Sequence, residues 1–253
     1  MAEKIIDLTE PDKIALCVYG ITGSGKSHFC ATATQSQKTY YMNTEEKTAV
    51  LKKFAKDFEQ TKSKAVWVDS VDEAQKVIRG LNKAIENNKP YPECVVLDSV
   101  SRFQLHDQLD IMSKEIPIEG DKKKIEYRDE TTYKDFGKLH VHMNRAMILI
   151  PKKYLHVIVT AQAMEYNYKV DGGNTISRYK PALVGQFGNL FGGWFNILAF
   201  LEVIPETKDG VKTITHRLHF QPGDNFDAKT EFDLPDYLDN PTFGDIVKLV
   251  NGK

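Results

Sequence analysis

Consecutive apolar residues occur along this chain in short runs, and segments of helical periodicity separate them. Residues 13–19 (Lys-Ile-Ala-Leu-Cys-Val-Tyr) lack polar alternation, the pattern of a strand buried on both faces. Similar runs predict strands at 38–43, 65–68, 94–97 and 156–161. Helices are expected from Lys26 to about Gln35, at 48–58, at 71–88 and at 133–150, with a short closing helix at 243–250. Ser70 and Glu73 have the spacing of a capping box at the head of the 71–88 helix. Late in the chain, strands at 194–203 and 211–220 flank Lys208-Asp209-Gly210, a hairpin signal. Residues 114–131 are polar, and residues 165–185 show no period, so the latter read as a long loop of the functional kind. Strands alternating with helices predict an α/β fold around a mostly parallel sheet with a C-terminal β-hairpin extension. No repeat or linker divides the chain, so one domain over 1–253 is expected.

Composition narrows the function classes. The 253 residues are 41% hydrophobic and 27% charged with a formal net charge of −1, which excludes a general polyanion-coating protein. Any nucleic-acid contact must come from a local patch. Cys17, Cys30 and Cys94 lack metal-ligand spacing and read as apolar fillers in a reducing compartment. With no signal-peptide pattern after Met1 and no membrane-length apolar run, a cytosolic protein without a membrane partner is expected, in the host cytoplasm if phage-encoded.

The chemistry begins directly after the first strand. Gly20, Ile21, Thr22, Gly23, Ser24, Gly25, Lys26 and Ser27 form a complete Walker A phosphate loop, with His28 next in the helix that follows. Glycines allow the backbone N–H groups to curl toward phosphate oxygens, and the helix start adds a positive dipole end. Lys26 is the residue that reaches the β- and γ-phosphates, and the Ser27 hydroxyl is a Mg²⁺ ligand. Strand, glycine loop and helix is the context that the motif requires, so binding of ATP with Mg²⁺ is expected. Asp98 ends an apolar strand and fits the acidic residue that holds the metal's water shell. Glu45, just past the second strand, can orient the attacking water, or it can serve with Glu46 as a first-turn helix residue.

The Walker A loop, then Asn43-Thr44-Glu45, then Val95-Val96-Leu97-Asp98-Ser99, then Val159-Thr160-Ala161-Gln162 resemble the RecA-like ATPase core. The pattern is similar to compact phage nucleotide-binding proteins of that superfamily, some of which are single-strand annealing or recombination ATPases. The resemblance implies a three-layer α/β core and a catalytic-glutamate role for Glu45. The family often has Asp where this chain has Asn43. A γ-phosphate sensor is implied at Gln162 or Thr160, and single-stranded DNA as a partner of an oligomeric ring or filament. Two basic stretches become candidate DNA loops: 116–131, with Lys122, Lys123, Lys124 and Arg128, and 165–181, with Tyr166, Tyr168, Lys169, Arg178, Tyr179 and Lys180. Lysine and arginine suit phosphates and tyrosine suits unstacked bases. Acidic neighbours Glu119, Asp121, Glu126, Asp129 and Glu130 offset the first stretch, so the second is preferred.

Arg217 and Lys229 are candidates for a cation donated to a neighbouring subunit's site. His140 and His142, two apart on a helix, do not share a face and make a poor metal pair. Two rival readings remain: a small-molecule P-loop kinase, which needs an arginine-rich lid, and a nucleotide-gated loader or scaffold with little turnover.

Overall fold

The computed structural model describes residues 11–117, 123–169, 175–208 and 211–252. Its frame is a mostly parallel sheet whose inner strands are β1 (Ala15–Gly20), β2 (Thr39–Asn43), β4 (Cys94–Asp98) and β7 (His156–Lys169), with β3 (Lys64–Trp67) at one edge. Beyond β1 lie β9 (Ile197–Lys208), β10 (Val211–His219) and β12 (Tyr237–Asp239), giving the order β12-β10-β9-β1-β7-β4-β2-β3. The phosphate-loop strand β1 therefore does not touch β4, because β7 is inserted between them. Strands β9 and β10 pair antiparallel, which is the expected C-terminal hairpin; its Asp209-Gly210 turn lies outside the described residues.

Alternation along the inner strands explains their unbroken apolar character. Ala15, Cys17, Tyr19, Val95, Leu97, Val157 and Val159 face one core. Leu16, Val18, Cys94, Val96 and Ile158 face the other. The first core is covered by α4 (Val71–Glu86), α5 (Val100–Met112), α6 (Tyr133–Leu149) and α7 (Gly185–Leu190). The second is covered by α1 (Lys26–Ala31) and its 3₁₀ extension to Gln35, α2 (Ala49–Lys53), α3 (Ala55–Gln60) and α8 (Phe243–Val250). Three layers result. All three cysteines are fully buried, as expected of apolar fillers. Phe187, Phe191 and Phe195 pack as a chain of tilted rings in the first core.

Two readings of the pattern need correction, and one helix left no signal in it. Residues 100–112 form helix α5, which periodicity concealed: its buried stripe is Val100, Phe103, Gln104 and Asp107, half of it polar, while Leu105 and Leu109 are exposed. The polar 114–131 stretch contains an antiparallel pair, β5 (Ser113–Pro117) with β6 (Lys123–Tyr127), and Glu119, Asp121 and Lys122 lie outside the described residues. The 165–185 loop is mostly a hairpin, because β7 runs on to Lys169 and pairs in register with β8 (Thr175–Pro181). Its side chains are half-buried or exposed, so no apolar alternation marks it in the sequence. Strand β11 (Lys229–Thr230) adds to the sheet on β9.

The α4 cap is half a capping box: the Ser70 hydroxyl accepts from Glu73 N–H, while the Glu73 carboxylate reaches Asp69 N–H instead. Full boxes head α6 (Thr132, Asp135) and α8 (Thr242, Asp245).

At the other end of the sheet, buried His156 accepts the Ile14 N–H on Nδ1 and so ties β7 to the start of β1. That bond requires a neutral ring, and burial lowers the imidazole pKa from 6.5 to about 4. Between those values the unfolded chain binds a proton that the folded chain refuses, so stability falls as pH drops from 6.5 to 4 and is unaffected above. The expected loss is about 3 kcal/mol. Urea unfolding of wild type and His156→Gln at pH 7.5 and 4.5 checks this, with a smaller pH effect in the variant.

Candidate functional site

The loop between β1 and α1 has the backbone that its glycines permit. Gly23 and Gly25 take φ of 86° and 95°, which side-chain-bearing residues rarely adopt. A Cβ on Gly20 would meet the Leu201 carbonyl oxygen at 2.4 Å, so only glycine fits where β1 passes β9. Lys26 folds back along the loop. Its ammonium donates to the Gly20 and Ile21 carbonyls at 2.9 Å each and lies 3.5 Å from Ser24 Oγ and Gln162 Oε1. Burial lowers its pKa, opposed by the nearby carboxylates of Asp98 and Glu45.

Asp98 is buried at the end of β4, and both carboxylate oxygens accept hydrogen bonds. Tyr41 of β2 donates to Oδ2 at 2.5 Å, and Thr160 of β7 donates to Oδ1. Burial beside Asp98 raises the Tyr41 phenol well above its usual pKa, so it remains a donor. The Asp98–Ser99 peptide is cis. Thr44 pins the next residues, accepting Ser99 N–H at 2.8 Å and donating to the Ser99 carbonyl at 2.9 Å.

Glu45 is aimed by Asn43. The Asn43 side-chain oxygen accepts Glu45 N–H at 2.9 Å, and its amide donates to the Lys47 carbonyl at 3.0 Å. An aspartate could make only the first bond, which accounts for asparagine here. The Glu45 carboxylate then accepts from Ser99 Oγ at 2.8 Å and from Gln162 Nε2 at 3.3 Å. Gln162 pairs with Gly20 in the β1–β7 register, so its Oε1 faces Lys26 and accepts from Thr22 Oγ1 at 3.3 Å. Of the two sensor candidates on this strand, Gln162 lines the cleft, whereas Thr160 is fully buried against Asp98.

These groups open onto a cleft of about 630 Å³ lined by Thr22, Glu45, Ser99, Arg102 and Gln162, among others. A second cleft of about 590 Å³, between α4, α5 and α6, contains no loop residue. The Ser27 hydroxyl and the Asp98 carboxylate are oxygen donors of the type magnesium takes, and each Asp98 oxygen keeps a further lone pair beyond its bond to Tyr41 or Thr160. Open space around the position of a Cβ on Gly23 leaves the loop free to enclose a phosphate.

Several participants carried no signal in the pattern. Tyr41 sits inside a strand that reads as apolar or neutral. Ser101 Oγ accepts Gln162 N–H at 3.0 Å, and Arg102 reaches the cleft, both from the unmarked helix α5. His216 is 192 residues from Ser24, whose carbonyl its Nδ1 meets at 2.9 Å.

The remaining candidates lie elsewhere. Tyr166 and Tyr168 stack at 5.7 Å on the β7–β8 hairpin, with Lys180 4.4 Å over the Tyr166 ring. Lys169 is at the end of β7. Arg178 turns inward to the Gly223 and Phe226 carbonyls and to Asp227 at 3.0 Å. Arg128 pairs with Asp135 at 2.9 Å. Arg217 makes a two-point contact with Asp239 at 2.7 and 2.9 Å, and Lys229 is 3.8 Å from Glu231. His142 bonds Asp107, and His140 bonds Asn144, so the two are not a metal pair.

A glycine loop entering a helix after β1, with carboxylates gathered at neighbouring strand ends, defines the P-loop ATPase class on a three-layer α/β fold. The chain belongs to the AAA domain family, whose model matches residues 12–232. Among curated proteins no sequence matches it. Among solved structures it is similar to a KaiC-like protein, PH0186, from the hyperthermophilic archaeon Pyrococcus horikoshii OT3. That likeness has 13% identity, covers 91% of each chain and has a TM-score of 0.46. No helix of the described residues is long and apolar enough to cross a membrane.

The buried Tyr41–Asp98 bond is charge-assisted, so Tyr41→Phe is expected to lower unfolding free energy by about 2 kcal/mol. Urea denaturation at pH 7 measures it. A change below about 0.5 kcal/mol would mean that the bond contributes no net stability.

Proposed function

We propose that this protein hydrolyses ATP with Mg²⁺ and couples the cycle to single-stranded DNA, acting as a self-associated ring or filament in DNA recombination or replication. The observation that carries the hydrolytic part is the chain of contacts from Lys26 through Gln162 to Glu45 and Ser99. It brings a cation for the γ-phosphate and a carboxylate for a water to opposite ends of one amide side chain. Glu45 orients the attacking water, and Lys26 stabilises charge on the phosphoryl oxygens in transfer. Ser27 and Asp98 would hold magnesium, which supplies neutralisation of that same charge.

Coupling to DNA is supported by continuity. Gln162 stands on the strand that runs on, without a break, into the hairpin carrying Tyr166 and Tyr168. Two stacked tyrosines with a lysine over one ring offer aromatic faces and positive charge, the chemistry that single strands favour. Arg178 serves the hairpin's attachment, leaving Lys180 and the tyrosines as the proposed contacts. The same inward turn weighs against a kinase, which needs arginines closing over the transferred group.

ATP turnover with and without single-stranded DNA tests this reading in wild type, Lys26→Ala and Gln162→Ala. Wild type is expected to turn over faster on DNA, and Lys26→Ala to lose nucleotide binding. Gln162→Ala should keep nucleotide binding and lose the DNA response. If DNA alters neither turnover nor binding in wild type, the DNA partner is wrong. If Lys26→Ala binds ATP normally, the site itself is wrong.

A further inference from the structure

The cleft of about 590 Å³ between α4, α5 and α6 gathers charge of both signs. Asp72, in the first turn of α4, and Asp107 and Asp110 of α5 bring carboxylates to it. From α6 come Lys138, His142 and Arg145, spaced i, i+4 and i+7 along one helix face. No residue of the phosphate loop lines this cleft, and neither Glu45 nor Gln162 reaches it.

Asp107 is the most buried of the lining residues, at 2% exposure. Its Oδ1 meets His142 Nδ1 at 2.9 Å, but its Oδ2 has no hydrogen-bond partner among the described residues. Buried Asp98, by contrast, has a donor on each oxygen. A buried acceptor without a donor costs free energy, and protonation does not remove the cost, because an O–H there needs an acceptor in turn. Burial raises the pKa of Asp107, opposed by its bond to His142, and burial also raises that of Asp110. A cation beside these carboxylates would stabilise their charged forms. A metal ion does not fit the part, since among the described residues no three His, Cys, Asp or Glu side chains converge to hold one. The cations of α6 do not supply the donor either. Among the described residues Lys138 and Arg145 make no ion pair, and the Asp107–His142 bond alone joins the acidic and basic walls.

We propose that this cleft binds a small zwitterion of the basic amino acid class. Its ammonium or guanidinium meets the carboxylates of Asp107 and Asp110, and its own carboxylate turns to Lys138 and Arg145. The ligand's N–H groups give Asp107 Oδ2 its donor, and a guanidinium carries several in a fixed fork that suits a carboxylate. The ligand's anion meets two cations that no carboxylate of the described residues neutralises. The volume lies within the range of small-molecule sites, about 300–1,000 Å³. This inference does not depend on the nucleotide reading, because the two clefts share no lining residue.

Titration calorimetry of the full chain with L-arginine tests it, with agmatine, which lacks the carboxylate, and succinate, which lacks the cation, for comparison. L-Arginine is expected to bind with a Kd of about 1 mM or tighter, and each comparison ligand at least about tenfold more weakly. Asp107→Asn should weaken arginine by about fivefold or more and leave ATP affinity unchanged. Because Asp107 is buried, Arg145→Gln, at an exposed position, is measured beside it and should also weaken arginine by about fivefold or more. Arginine binding weaker than about 1 mM, or agmatine or succinate binding within about tenfold of arginine, overturns the proposal. So does an arginine affinity within about fivefold of wild type in Arg145→Gln or in a folded Asp107→Asn chain.

Discussion

A charge buried at the end of β4 sets the terms for everything around it. Asp98 is 4% exposed, and a carboxylate left without partners at such a site would cost several kcal/mol. Its donors come from the two strands that flank β4, Tyr41 from β2 and Thr160 from β7. Satisfying that carboxylate fixes three strand ends relative to one another. Just past β2 and β4 stand Glu45 and Ser99, and two residues beyond Thr160 along β7 stands Gln162, and the three meet in one small network. The geometry of the cleft thus follows from the need to give one buried aspartate its protein donors.

Helix α5 carries the consequence outward. It begins at Ser99, whose hydroxyl both bonds Glu45 and accepts the Arg102 N–H as helix cap. One residue into the helix, Ser101 accepts the Gln162 N–H at the point where β7 leaves the sheet for the hairpin. One turn further, buried Gln104 clamps Val184 beyond the hairpin's second strand, accepting its N–H at 2.8 Å and donating to its carbonyl at 3.2 Å. Both ends of the β7–β8 hairpin are therefore anchored to the helix whose cap touches Glu45. Hydrogen bonds thus connect Glu45, through α5, to both ends of the hairpin that carries Tyr166 and Tyr168.

Much of this was legible in the sequence where burial imposes a simple rule. Strands covered on both faces must be apolar throughout, so β1, β2, β4 and β7 and their polar ends stood out. The phosphate loop was legible because glycine is the residue that tolerates its backbone at Gly20 and Gly25. What escaped is what long-range satisfaction decides. Gln104 and Asp107 occupy buried helix positions because Val184 and His142 meet them there, and no local pattern announces such partners. The β7–β8 hairpin escaped because backbone pairing, not an apolar face, holds its register. His216 reached the loop from a strand nearly two hundred residues away in sequence. Asn43 was visible as a departure from a family habit, and the structure supplies its reason: one side chain that both accepts from Glu45 and donates to Lys47.

In the proposed reaction Glu45, held by Ser99 and Gln162, orients the water that attacks ATP. Glu45→Gln keeps the size and the hydrogen-bonding reach of the side chain while removing its charge. Its turnover number and nucleotide affinity, measured beside wild type under saturating Mg-ATP, are the direct test. A kcat lower by about a hundredfold or more is expected, with affinity retained within about threefold. A kcat within about twofold of wild type would contradict it.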